Sequence, residues 1–168
     1  MIELQAQLRA AIKAAVTTSP LNRLRDIDAS PIFDEPLVGF ADGDDPLFTL
    51  YKSVVAPAHL TPREALAAGI GGEAGSGAFP HVGVVSWILP IAAETRRSNR
   101  QMADGPSLRW NHTRFQGEDL NDSLRRTVVA FLLERGWLSA APALGPGFRR
   151  VRGPHGAASI WSERHVAY

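Results

Sequence analysis

Two stretches of the chain gather side chains suited to holding a ligand. One is Arg109-Trp110-Asn111-His112-Thr113-Arg114-Phe115-Gln116-Gly117-Glu118, and the other is Ser159-Ile160-Trp161-Ser162-Glu163-Arg164-His165. Both mix arginine, tryptophan, histidine and glutamate, the makeup of a polar site beside an aromatic wall. The binding candidates are Arg109, Trp110, Arg114 and Glu118 in the first, and Trp161, Ser162, Glu163, Arg164 and His165 in the second. The competing reading is an Arg–Glu network at the domain surface. No catalytic residue is assigned, because neither a nucleophile elbow nor a paired-carboxylate motif stands out. No metal site is expected either. The five histidines, His59, His81, His112, His155 and His165, include no pair at the three- or four-residue spacing of a helical metal pair. Glu163 and His165 are two apart, which on a helix sends them to different faces.

Charge and composition narrow the chemistry. The chain has 168 residues, a net charge of +1 and no cysteine, so it offers no thiolate for zinc, for iron–sulfur clusters or for nucleophilic attack. Residues 1–90 carry a net charge of −4 and residues 91–168 a net of +5. Sixteen of the eighteen basic residues are arginine, whose planar fork suits carboxylates and phosphates, so an anionic partner for the second half is expected. Arg97, Arg125 and Arg126 read better as solvated helix positions. A nearly neutral protein is a weak nucleic-acid binder; Arg149, Arg150 and Arg152 would be its contact if it were one. The longest apolar stretch, Val82 to Ile91, is far short of the roughly 20 residues that cross a bilayer. With no signal peptide at Met1, the expectation is a cytoplasmic protein without a membrane partner.

The elements that must position these residues follow from periodicity and punctuation. Leu4, Leu8, Ile12 and Val16 predict an amphipathic helix over 2–17, stopped at Ser19-Pro20. Residues 20–46 read as a proline-rich acidic loop. Asp42-Gly43-Asp44-Asp45-Pro46 lacks the periodic ligands of a calcium loop and reads as a capped turn. A short helix from Pro46 is expected to put Leu47, Leu50, Tyr51 and Val54 on one face. Thr61-Pro62-Arg63-Glu64 is a capping box opening a helix that Gly69 ends. Gly69 to Gly77 follows a helix rather than a strand, so it reads as a connector and not as a phosphate loop.

Val82–Leu89 is the best strand, apolar on both faces and so expected at the centre of a sheet. A short helix or ordered loop over 92–103 comes next, then the longest helix from about Gly117 to Arg135, ended by Gly136. Trp137–Ala141 reads as a second strand, completing a βαβ crossover. Residues 143–156 read as loop and Ser159 to Tyr168 as a last helix, cut in mid-pattern. The fold class is therefore α/β: a single domain over 1–168 with a small central sheet flanked by helices. Residues 1–60 form its N-terminal helix and loop, and residues 61–168 its core.

Trp110 with Arg114, Gly117-Glu118 with Leu120-Asn121, Leu124-Arg125, Pro142 and above all Trp161-Ser162-Glu163-Arg164-His165-Val166-Ala167-Tyr168 carry a resemblance. They resemble the N-terminal domain of epoxyqueuosine-reductase-like iron–sulfur proteins. Glu35 to Phe48 and Ser86-Trp87-Ile88-Leu89-Pro90 resemble one uncharacterised branch of that family. The resemblance implies a substrate- or corrinoid-side domain working with cobalamin and with a downstream ferredoxin-like domain, or a separate electron donor, that holds two [4Fe–4S] clusters. It implies a small molecule or a tRNA nucleoside as substrate. Without the cluster domain this chain is expected to be inactive as a reductase. The family's acid falls at Ala157, and a methyl group delivers no proton, so epoxyqueuosine reduction itself is not expected. The alternative is a non-catalytic module that binds a small anion or a protein.

Overall fold

In the computed structural model, which describes residues 2–71 and 79–167, the first helix, α1 (Ile2–Thr18), forms as the periodicity predicts. It buries Leu8, Ile12 and Val16, one residue per turn. Burying three such side chains supplies roughly 1.5–3 kcal/mol each. The 20–46 stretch holds an element the sequence reading misses, strand β1 (Leu37–Asp42). Only Val38 of its six residues is buried, so it carries no apolar alternation to recognise. Its partner is β2 (Gly83–Ile88), in a sheet of two strands. The pairing is antiparallel. Gly39 lies opposite Ser86, the Gly43 N–H donates to the Val82 carbonyl at 2.8 Å, and a Phe33–Ile91 bridge continues the ladder outward.

Helix α2 (Pro46–Val54) is capped by Asp45, whose side chain accepts from the Leu47 N–H. Both of its faces are apolar, and the structure buries the one carrying Phe48 and Tyr51, with Val55 just beyond, leaving Leu47, Leu50 and Val54 outside. The predicted face is therefore corrected in all but Tyr51. Helix α3 (Pro62–Gly69) starts with the predicted capping box, both of whose hydrogen bonds are present. Residues 72–78, most of the glycine-rich connector, lie outside the described residues. Helix α4 (Ala93–Arg100) matches the short helix expected there.

Helix α5 (Leu108–Leu133) starts nine residues earlier than predicted. The buried Ser107 caps it: its Oγ accepts from the Trp110 N–H at 3.2 Å. The predicted terminator, Gly136, follows its last turn. That glycine has φ +78°, with Trp137 N–H donating to the Leu132 carbonyl and Gly136 N–H to that of Leu133, a Schellman arrangement.

The class is mixed α/β, with two small antiparallel sheets and six α-helices among the described residues. The βαβ crossover is not formed. Trp137 to Ala141 is no strand; Trp137 and Leu138 are exposed and the chain turns into a 3-10 helix at Pro142–Leu144. Strand β2 is not central either, since among the described residues it pairs with β1 alone and it leaves Ile88 exposed. The stretch 143–156 contains most of a hairpin, β3 (Arg150–Gly153) with β4 (Gly156–Ser159), in register Arg150 to Ser159. The last helix, α6 (Glu163–Val166), is shorter than predicted because Ser159 belongs to β4 and Ile160 and Trp161 are buried before it starts.

The chain divides into two compact units, Met1–Val38 with Trp87–Val128, and Gly39–Ser86 with Val129–Tyr168. The first holds a core that includes Leu8, Ile12, Val16, Leu24, Ile32, Leu120 and Leu124. In it the buried Asn22 clips the loop, donating to the Val16 and Phe33 carbonyls and accepting from the Phe33 N–H. The second has Phe48, Tyr51, Val55 and Val84 at its centre, with Ala158 and Val166 packed on them.

Candidate functional site

The first unit holds a surface cavity of about 390 Å³ lined by Ile91, Arg96, Asn99, Arg100 and Trp110. Arg96, Asn99 and Arg100 are three and four residues apart on α4, so they share one helix face. Trp110 comes from the first turn of α5 and supplies the flat wall. The two sides are joined through Ser107, whose N–H donates to Asn99 Oδ1 at 2.9 Å while its Oγ accepts from the Trp110 N–H. Ser107 therefore fixes both the cap of α5 and the Asn99 amide. None of Arg96, Arg97 and Arg100 has an acidic partner among the described residues.

The other candidates of the first cluster do not line this cavity. Arg109 is an intramolecular clamp. It donates to Asp28 Oδ2 and to Ser30 Oγ, each at 2.6 Å, and its side chain is only 12% exposed. The Asp28 carboxyl is held at about 2 by hydrogen bonding to Ser30 and by Arg109. Glu118 accepts from Arg125 at 2.8 Å, and Asp122 shares the same nearly buried guanidinium. Arg114 is exposed. The cluster is thus part Arg–carboxylate network and part cavity, with Trp110 as its contribution to the latter. The chain matches no protein-family model, no curated protein and no solved structure.

The second unit gathers the other cluster around a histidine that the sequence reading did not single out. His59 is fully buried and its Nε2 accepts from the Ser162 N–H at 3.0 Å. An acceptor nitrogen carries no proton, so the ring is neutral with its hydrogen on Nδ1. Trp161 stacks on it, centroids 5.9 Å apart and planes 19° from parallel, and is itself buried. Tyr51 stands edge-on to both His59 and His165 and donates its hydroxyl hydrogen to the His165 carbonyl at 2.6 Å. Ser162 Oγ and His165 Nδ1 are 2.7 Å apart at the start of α6. Burial lowers the His59 pKa and raises that of Tyr51. Trp161, Ser162 and His165 are thereby brought together as packing, while Glu163 and Arg164 are exposed at the surface of α6.

Nothing in the sequence marks His59 for this place, since it follows Pro57-Ala58 without periodicity. Arg96 and Arg100 carry a signal that was available: two arginines four apart beside an asparagine. Among the described residues no group of three or more His, Cys, Asp or Glu is placed to hold a metal ion, and no helix is long and apolar enough to cross a membrane.

Proposed function

We propose that this chain is a binding domain for a small organic anion, with the cavity between α4 and α5 as its site. The observation that carries the reading is that two arginine side chains on one helix face, neither with an acidic partner among the described residues, line the same cavity as Trp110. Like charges four residues apart on a helix repel, and an anion seated between them removes that cost. Hydrogen bonds to charged groups contribute about 1.5–3 kcal/mol each, so losing one arginine should weaken binding roughly 10- to 100-fold. The test is titration of the full chain with small organic anions by calorimetry and tryptophan emission. Arg96→Ala with Arg100→Ala should abolish binding, and Trp110→Phe should remove the emission change. Binding that survives the double variant overturns the reading.

A second reading keeps the resemblance: a substrate- or corrinoid-side domain of a reductase, silent until joined to its electron donor. It is favoured by the exposed run Leu133, Trp137 and Leu138 in the second unit, apolar area of the kind a further domain would cover. The chain has no cysteine, so the [4Fe–4S] clusters of such a partner would be held entirely by the partner. The Trp161 to His165 segment does not fit a corrinoid contact in this conformation, because Trp161 is packed on His59 and His165 against Tyr51. Adding cobalamin and watching for the base-off absorbance change tests this reading, and no change with the donor domain present overturns it.

A further inference from the structure

The number of cationic forks in the α4–α5 cavity bears on what kind of anion it takes. A carboxylate has two oxygens and is satisfied by one guanidinium in the two-pronged geometry. Arg96 and Arg100 provide two such forks on one helix face, with the Asn99 amide between them in sequence. A phosphate monoester answers this arrangement, because it presents three terminal oxygens and carries a charge of roughly −1.5 to −2 at neutral pH. The acid on the same helix does not compete: Glu94 is two residues from Arg96 and sits in the first turn, where it complements the helix dipole. Arg100 in the last turn also complements the dipole. That accounts for a cation at the C-terminal end of α4, but not for a second one at Arg96 facing the same cavity.

The rest of the lining describes the body of the ligand. Ile91 and the half-buried Trp110 give an apolar, flat wall, which favours a ring over a flexible chain. The volume of about 390 Å³ lies at the lower end of the range for small-molecule sites. The backbone carrying the wall is tied to the cationic face, since the Ser107 N–H donates to Asn99 Oδ1 and its Oγ accepts from the Trp110 backbone N–H. We infer that the cavity takes a phosphate monoester of a planar ring, the phosphate between Arg96 and Arg100 and the ring on Trp110. This rests on the anion-binding reading above and narrows it to one chemical class.

Three probes, phenyl phosphate, benzoate and inorganic phosphate, separate the class from the site. On the full chain at pH 7.5, phenyl phosphate should bind at least about tenfold more tightly than either of the others, each lacking one half of the recognition. Lowering the pH to 5 should weaken phenyl phosphate, whose second ionisation lies near 6. Arg96→Lys keeps the charge and loses the fork, and should cost several-fold in phenyl phosphate affinity. Should benzoate equal phenyl phosphate, the phosphate assignment falls while the anion site stands. Should inorganic phosphate equal it, the planar ring falls. If none of the three binds, the anion-binding reading falls with it.

Discussion

Acidification should loosen the second unit through His59, and the direction and size follow from where the ring sits. Its Nε2 accepts from the Ser162 N–H, so a second proton would meet a donor head-on and break that hydrogen bond. The charge would then lie in a fully buried position, stacked on Trp161 and edge-on to Tyr51, with Lys52 and His165 as like charges, opposed by hydrogen bonding to the Leu60 backbone and by Glu64. Burial therefore sets the folded pKa below the ordinary value of about 6.5. The unfolded chain takes the proton first. Stability from the neutral ring is complete above about pH 6.5 and is lost as the pH falls toward the folded pKa, by at most about 1.4 kcal/mol per pH unit.

The assay is urea unfolding at pH 7.5 and 5.5, comparing the native chain with His59→Gln. Glutamine keeps an acceptor for the Ser162 N–H and does not titrate, while His81, His112, His155 and His165 are common to both proteins and cancel. The native chain should lose about 1 kcal/mol more than the variant between the two pH values. Exchange of the Ser162 amide should quicken over the same range in the native chain only. Equal losses in the two proteins would refute the assignment of a neutral, buried acceptor.

Two further outcomes follow from single contacts. Arg109→Ala should raise the Asp28 carboxyl from about 2 toward the ordinary aspartate range, seen by carboxyl NMR titration, with the Ser30 hydrogen bonding holding it partly down. Gly153→Ala should destabilise the second unit by about 1–3 kcal/mol or more, because its Cβ would overlap the Val55 carbonyl oxygen, a backbone atom that cannot swing aside; thermal melting reads this directly.

The parts of the fold legible in the sequence are those fixed by local rules. The α1 stripe, the Thr61 capping box and the Gly136 terminator each depend on a few neighbouring residues, and each is found where predicted. The strands were less legible. β1 and β2 meet across 40 intervening residues, and β3 and β4 are four residues long around a Gly-Pro-His-Gly tip in a stretch that composition marks as loop. The 137–141 run shows the reverse error: five apolar or small residues resemble a strand, but a strand exists only where a partner accepts its hydrogen bonds. The site was half legible. Trp110 lies in both the predicted cluster and the cavity, whereas Arg96 and Arg100 belong to the stretch 92–103, which reads only as a short helix or ordered loop.

What composition counts as one population of sixteen arginines separates, in the structure, by what neutralises each charge. Arg109 and Arg125 are nearly buried, and a buried guanidinium is tolerable only with carboxylates such as Asp28, Glu118 and Asp122 beside it. Their pairing is a condition of folding and leaves little for a ligand. Arg96, Arg97 and Arg100 are exposed, need no partner for the chain to fold, and differ among themselves only in direction. Arg97 shares the helix and the exposure of its neighbours but is not in the cavity lining, so it is an internal control. If the site works by its forks, Arg97→Ala should leave phenyl phosphate affinity within about twofold, the scale of a screened charge outside the contact. If instead a general positive field attracts the anion, Arg97→Ala should cost as much as Arg96→Ala, and 1 M salt should erase binding altogether. A built site requires the first result, since only that result depends on where the side chains point.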